Sequence, residues 1–123
     1  MMSVFLASYR EAVAYHPDHF NPVAVAGDER VRVILVCLEP GQFIPVHQPG
    51  VDLCLVVLEG EGELVAGDRH ARVTPGSVAF VPAGEQRGIK ADTRLIALHV
   101  VAPPPTADDH AAVMSGLQRG TWR

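Results

Sequence analysis

Short apolar runs, separated by glycine and proline residues, fill the middle of the chain. The runs are rich in β-branched and other strand-forming residues, and the turn residues recur at short intervals. Gly67 and Asp68, between two such runs, are typical of a tight hairpin turn. The pattern predicts an antiparallel β-sandwich or barrel. The predicted strands are residues 30–39, 53–59, 63–66, 70–74, 77–81 and 94–102.

The two ends of the chain follow a helical pattern. Residues 4–14 carry apolar side chains at spacings of three and four, which predicts an N-terminal helix. Near the C-terminus, Thr106 can cap a helix whose first turn holds Asp108 and Asp109, where the helix dipole favours anions. This second helix is expected over about residues 106–119, before Gly120.

Two of the predicted strands are apolar on both faces. Residues 33–38 and 53–58 contain no charged side chain, whereas a strand with one wet face alternates apolar and polar positions. The outer face of this sheet is therefore expected to be covered. Either the terminal helices of the same chain or a second subunit can cover it, and we favour a homodimer.

Composition and charge fit one ordered domain over residues 1–123. Hydrophobic residues make up 48% of the chain and charged residues 20%, which is enough for a packed core. The barrel is expected over about residues 30–103, after an N-terminal segment of residues 1–29. The net charge of −4 and the scattered arginines argue against a nucleic-acid partner, because phosphate binding needs clustered positive charge.

Location is predicted from what the sequence lacks. The N-terminal residues have neither the basic region nor the long apolar region of a signal peptide, and no stretch is long enough to cross a membrane. A cytoplasmic protein with no membrane partner is the expectation. The cysteines Cys37 and Cys54 lie in apolar runs and are predicted to be buried thiols, with a disulfide left open as the alternative.

The spacing of several turn residues resembles that of a known family. Gly41 is followed by His47 after five residues, and Gly60 closes the same stretch; further on, Gly76 leads to Pro82-x-Gly84. These spacings resemble the two motifs of the cupin family, specifically the small single-domain cupins of the conserved-barrel type. The resemblance covers roughly residues 31–103. It implies an all-β fold, an antiparallel jelly-roll β-barrel, here with short N-terminal and C-terminal helices.

The positions that depart from the family pattern are those that carry its chemistry. Cupins commonly bind a divalent metal through two histidines and a glutamate of the first motif and a histidine of the second. This chain keeps only His47, and the other three positions hold Pro49, Leu53 and Arg87. Proline and leucine side chains donate no lone pair, and arginine is permanently protonated. We therefore expect no metal at the usual four-ligand site and assign no cofactor, a divalent metal being disfavoured.

Two other residues could rebuild a metal site around His47. Asp52 is next to the vacant glutamate position, so its side chain points to the opposite face unless a bulge at residues 49–50 reverses it. His99 faces the barrel interior only if the odd-numbered residues of 95–101 point inward, and it is otherwise a structural residue of the last strand. His47, His99 and Asp52 are therefore weak metal candidates.

Arg87, His47 and His99 are the predicted ligand-binding residues. The guanidinium of Arg87 suits a carboxylate or phosphate, although a salt bridge to Glu85 or Asp52 is an equal alternative. His47 follows a short strand, and its imidazole can bond a ligand or move a proton near neutral pH. It can equally be a structural histidine bonded to backbone. The catalytic residues are unknown, and His47 is the best candidate.

Three functions are compatible with the sequence. The first is a cupin barrel that binds a small molecule, which can be an anion, and that lacks the usual metal site. The second is a metal-dependent enzyme of the dioxygenase or isomerase type that uses His47 with His99 or Asp52. The third is a structural or interaction module whose pocket is closed by Phe43, Phe80 and leucines. We favour the first.

Overall fold

Nine strands and two helical segments lie within the part of the chain that the structure describes. The computed structural model describes residues 4–123, so the first three residues of the predicted segment 1–29 lie outside it. In chain order the elements are a 3-10 helix Tyr9–Ala12, β1 Asn21–Gly27, β2 Arg32–Leu38, β3 Phe43–His47, β4 Asp52–Glu59, β5 Gly62–Ala66, β6 Arg69–Val73, β7 Val78–Val81, β8 Arg87–Ala91, β9 Leu95–Ala102 and α1 Ala107–Arg119.

The strands form two antiparallel sheets that face each other. One sheet has the order β1-β2-β9-β4-β7 and the other β3-β8-β5-β6. Side chains alternate between the faces of a strand, so every second residue of each sheet points into the space between the sheets. Buried apolar residues such as Leu38, Leu55 and Ile89 fill most of that space. The architecture is the expected all-β jelly roll.

The outer face of the five-stranded sheet is covered in part by the chain's own N-terminal segment. Leu35, Cys37 and Ile96 form a second apolar cluster on that face, and Tyr9 and Val13 pack against it. The Tyr9 hydroxyl also donates a hydrogen bond to the Glu59 carboxylate at 2.5 Å. The apolar run of β2 is therefore buried on both faces within one chain.

The predicted helix over residues 4–14 is wrong in its extent. Only Tyr9–Ala12 is helical, as one 3-10 turn capped by Ser8, whose side chain and backbone exchange hydrogen bonds with Glu11. Val13 is already extended. Of the apolar residues in this segment, Tyr9, Ala12 and Val13 pack against the sheet, whereas Val4, Phe5 and Leu6 are exposed, so the apolar spacing does not mark one buried face of a helix.

The C-terminal helix lies where the sequence predicts it. Thr106 is its N-cap and exchanges hydrogen bonds with Asp109, while Gly120 ends it in the left-handed conformation with φ of 70°. Gly116 sits on Pro45 of β3, where a Cβ atom would collide with the proline ring. Beyond the helix, the carbonyl of Trp122 accepts a hydrogen bond from the backbone N–H of Val46. The helix and tail are thereby fixed to β3.

Three expectations need correction. The sheet begins at β1, Asn21–Gly27, so residues 1–29 are not all outside the barrel predicted for 30–103. The strand β8, Arg87–Ala91, was not predicted. Cys54 is exposed rather than buried, although both cysteines are free thiols. Among residues 4–123, no helix has the length and apolar character needed to cross a membrane.

Candidate functional site

A cavity of about 160 Å³ lies between the two sheets. Most of its wall is apolar, and its polar side chains come from four elements. His47 comes from β3, Arg87 from β8 and His99 from β9, so all three predicted ligand-binding residues line the same space. The first turns of α1 add Asp109 and His110. The apolar lining includes Phe20, Ile34, Ile44, Val51, Leu53, Leu55, Leu64, Ile89, Val101 and Val113.

Strand register positions the three predicted residues. His47 ends β3 and Arg87 begins β8, and the two are direct cross-strand partners beyond an irregularity that begins at Ile44. His99 lies in the middle of β9, opposite Ile34 of β2 and Leu55 of β4. Since Ile34 and Leu55 also line the cavity, the odd-numbered face of β9 is the inner face. The alternative with His99 on the outer face is excluded.

His47 is bonded to backbone on one side of its ring. Its Nδ1 atom lies 2.8 Å from the carbonyl oxygen of Pro45. A carbonyl only accepts, so Nδ1 carries the hydrogen and Nε2 of the neutral ring keeps a lone pair. Burial lowers the pKa of His47, with a further lowering from the charge of Arg87, while hydrogen bonding to the Pro45 and Arg87 backbones acts in the opposite sense. A neutral imidazole at neutral pH follows.

Arg87 is buried, with 5% of its surface exposed. Its Nη2 atom donates to the carbonyl oxygen of Pro82 at 3.0 Å and more weakly to that of Glu85 at 3.5 Å. Its Nε and Nη1 atoms are buried without a hydrogen-bond partner among the described residues. Burial lowers the pKa of Arg87, and the negative charges of Asp52 and Asp109 raise it. The guanidinium stays charged at neutral pH.

The predicted salt bridge of Arg87 is not formed. Neither Glu85 nor Asp52 reaches ion-pair distance from it within residues 4–123. Asp52 is exposed and accepts a hydrogen bond from the backbone N–H of Ala83 at 2.8 Å instead. The loop of residues 82–86 is held in the same place by a bond from the Gly84 N–H to the Pro49 carbonyl. The two cupin-like motifs thus meet through one side-chain and one backbone acceptor of the first motif region, both bonded to backbone N–H groups of the second.

His99 presents an unpartnered nitrogen to the cavity region. Its Nε2 atom is buried and has no hydrogen-bond partner in the described part of the chain, although the residue as a whole is partly exposed. Burial is the main cause that lowers the pKa of His99 to about 4, with further lowering from the charge of Arg87 and from His47 when it is protonated. His99 is therefore neutral at pH 7.

The buried neutral state of His99 predicts a specific acid sensitivity. Below its ordinary pKa of 6.5 the unfolded chain takes up a proton that the folded chain accepts only near pH 4. The free energy of unfolding should therefore fall as the pH drops through this window, by up to about 3 kcal/mol from this residue. His99→Gln should lose that part of the slope. Urea unfolding of both proteins at pH 7.0, 5.5 and 4.0 measures it, and identical slopes would contradict the assignment.

The donor set does not fit the metal site that the family resemblance implies. Pro49 and Leu53 line the cavity without a donor atom, and Arg87 places a cation where the family has a histidine. Asp52, the carboxylate considered as a replacement, is exposed and does not line the cavity. Within residues 4–123, no group of three or more histidine, cysteine, aspartate or glutamate side chains is arranged to hold a metal.

The phenylalanines expected to close the pocket lie elsewhere. Phe80 is 64% exposed, and neither it nor Phe43 lines the cavity, whereas Phe20 does. The contribution of α1, through Asp109, His110 and Val113, was also not predicted. The helix lies outside both motifs. Its capping residues predicted that a helix forms, but they carried no information on where it packs against the barrel.

Comparisons with known proteins agree with this architecture. A family model described as "Cupin domain" matches residues 34–101. A protein of Thermus thermophilus is 32% identical, with a TM-score of 0.75 over 80% of this chain and 96% of its own. A RmlC-like cupin protein from Desulfovibrio desulfuricans is 34% identical, with a TM-score of 0.69 over 85% of this chain and 98% of its own. A comparison with curated proteins found no match.

Proposed function

Because this chain belongs to the cupin domain family, we propose that its cavity binds a small anionic molecule, with Arg87 as the charge partner. His47 and His99 are the polar contacts beside it. The observation that carries the proposal is the buried guanidinium whose Nε and Nη1 atoms have no partner in the described residues. The usual metal of the family has no part in it.

The energetics of Arg87 favour an external partner. A buried donor without an acceptor costs about 1–3 kcal/mol, and a buried charge costs more unless it is paired. No carboxylate of residues 4–123 lies within ion-pair distance of this guanidinium. An anion in the cavity would supply both the countercharge and the two missing acceptors. The planar fork of an arginine suits two oxygens of one ligand.

The two histidines would complete the contacts without adding charge. His99 can donate a hydrogen bond to the anion from its unpartnered Nε2 when the ring hydrogen is on that atom. His47 is held by Pro45 and keeps a lone pair on Nε2, which can accept a hydrogen bond or a proton from the ligand but cannot bond its negative oxygens. A neutral imidazole is also the side chain that most often accepts a proton in catalysis. If the protein catalyses a reaction, we propose His47 as the residue that moves a proton.

Anion binding is tested with a single substitution. We expect isothermal titration of a panel of formate, acetate, butyrate and phosphate to find at least one anion that binds the wild type. Arg87→Met should weaken that binding about 10- to 100-fold, because it removes charge-assisted hydrogen bonds worth about 1.5–3 kcal/mol. Arg69→Met removes the same charge from an exposed position of β6 and serves as the control.

Two results would contradict the proposal. The first is that every tested anion binds to Arg87→Met as tightly as to the wild type. The other is a stoichiometric transition metal in freshly purified protein, measured by elemental analysis, that His47→Ala removes. The second result would favour the metal-dependent enzyme instead.

We also propose that two copies of the chain associate. The edge strand β7 exposes 70% of Val78 and 64% of Phe80 on the outer face of the sheet. Cys54, the cross-strand partner of Phe80, is exposed beside them. None of these three residues belongs to the apolar cluster that the N-terminal segment covers. We expect sedimentation velocity to give the mass of a dimer, and a monomer would contradict this proposal.

The cytoplasmic location stays a prediction.

A further inference from the structure

We propose that the ligand is a small monocarboxylate with a compact apolar body, such as a branched-chain or aromatic acid. This inference rests on the proposed function, in which Arg87 holds an anion. It adds the charge, the polarity and the size of the molecule. Each of the three follows from a different property of the cavity.

The charge balance of the cavity favours a single negative charge. Arg87 is its one permanent cation among the described lining residues, and His47 and His99 are neutral at pH 7. Asp109 also lines the cavity as a carboxylate, but its charge is compensated at the N-terminus of α1, where the helix dipole favours an anion and the backbone N–H of Thr106 donates to it at 2.9 Å. A dianion would bring a second charge with no counterion next to an existing carboxylate. Phosphate and dicarboxylates are therefore poor fits.

The polarity of the wall favours an apolar body. Apart from the few polar residues named above, the lining consists of side chains such as Ile34, Leu55, Leu64 and Val101, which cannot form hydrogen bonds. Hydroxyl groups of a sugar acid would be buried there without partners, at a cost of about 1–3 kcal/mol each. A hydrocarbon group in the same place gains about 0.8 kcal/mol per buried CH₂. The wall selects against polyhydroxy acids.

The volume of the cavity, which is partly open to solvent, favours a ligand body of a few carbon atoms. Its volume of about 160 Å³ is close to that of an engineered apolar cavity of roughly 150 Å³ that holds benzene. A single aromatic ring or a short branched chain fills such a space. Fused rings and long acyl chains exceed it.

A titration series on the wild-type protein tests the inference. The probes are acetate, 3-methylbutyrate and benzoate as monocarboxylates, with phosphate, phthalate and gluconate as anions of the disfavoured classes. We expect 3-methylbutyrate and benzoate to bind at least tenfold more tightly than acetate, since each buried CH₂ contributes about a fourfold gain. Phosphate, phthalate and gluconate should bind at least tenfold more weakly than benzoate. Arg87→Met should lower benzoate affinity at least tenfold.

The outcomes separate this inference from the proposed function. Arg87-dependent binding of phosphate, phthalate or gluconate in preference to the apolar acids would overturn the ligand class and leave anion binding intact. The same holds if acetate binds as tightly as benzoate. If no anion binds in an Arg87-dependent manner, both proposals fail. Benzyl alcohol, the neutral counterpart of benzoate, should bind at least tenfold more weakly, and equal binding would overturn the role of charge.

Discussion

Gly60→Ala should lower the free energy of unfolding by about 3 kcal/mol or more, the largest single-residue effect expected on the fold. Gly60 has a φ of 85°, a region that alanine occupies only with strain. A Cβ atom there would also lie 2.7 Å from the Cα atom of Leu95 and well inside contact distance of the Arg94 carbonyl oxygen. Both neighbours are backbone at the start of β9, so neither can turn away. The loss is a large part of a typical stability of about 5–15 kcal/mol.

Gly41→Ala is the matched control for this experiment. Gly41 has nearly the same φ, 84°, but a Cβ atom would meet nothing within 4 Å. It should therefore show the cost of the backbone conformation alone, about 1–2 kcal/mol. Urea unfolding of the two variants and the wild type gives both values. Equal losses would show that the close approach to β9 is unimportant, because the strain would then account for the whole effect.

The positive φ angles explain why the fold could be predicted from the turns. Gly41, Gly60, Gly67, Gly76 and Gly84 all have φ between 62° and 94°. Each therefore occupies a conformation that favours glycine for a local reason, independent of distant contacts. The spacing of such glycines along the sequence therefore indicates where the backbone turns. This is why the cupin-like spacing predicted the jelly roll although the family's metal ligands are replaced.

The missed strands had weak local signals. β1 contains Pro22 and is largely exposed or half-buried, and β8 contains Gly88 and Lys90. These residues are unfavourable in strands, so propensity argued against both elements. Tertiary contacts decide the outcome: a Cβ on Gly88 would lie 2.6 Å from the Val46 Cγ2 atom of β3. The glycine that weakens the strand signal is the residue that permits the two strands to meet closely.

The site could be predicted only where the alternation of side chains along a single strand decides which face a residue occupies. Whether His99 faces the cavity or the outside of the sheet depends on how β9 pairs with β2 and β4. Both faces of β9 are apolar in sequence, so the strand alone does not distinguish them. Asp52 follows the simple alternation and does not line the cavity, because the pairing of β4 is regular from Asp52 to Val57. The unpartnered state of Arg87 was not predictable, since Glu85 and Asp52 are both close in sequence to the motif positions. It depends on where those side chains finally lie.

Arg87→Met should make the ligand-free protein more stable by about 1–2 kcal/mol, while it removes anion binding. The substitution ends the burial of a charge without a carboxylate and removes two donors, Nε and Nη1, that have no acceptor among the described residues. The flexible methionine chain keeps much of the apolar packing of the arginine stem. The substitution also removes the hydrogen bonds from Nη2 to the carbonyls of Pro82 and Glu85. Both residues are exposed, so water can replace the lost donor.

This combination distinguishes a binding residue from a structural one. Arg69→Met, the exposed control, should change the stability by less than about 0.5 kcal/mol. Benzoate or another bound anion should raise the melting temperature of the wild type and leave that of Arg87→Met unchanged, because only a ligand that binds the folded state stabilises it. A stability loss of about 2 kcal/mol or more in Arg87→Met would instead assign Arg87 to holding the loop of residues 82–86. A buried cation that weakens the empty protein and strengthens the loaded one is the property expected of a residue retained for its ligand.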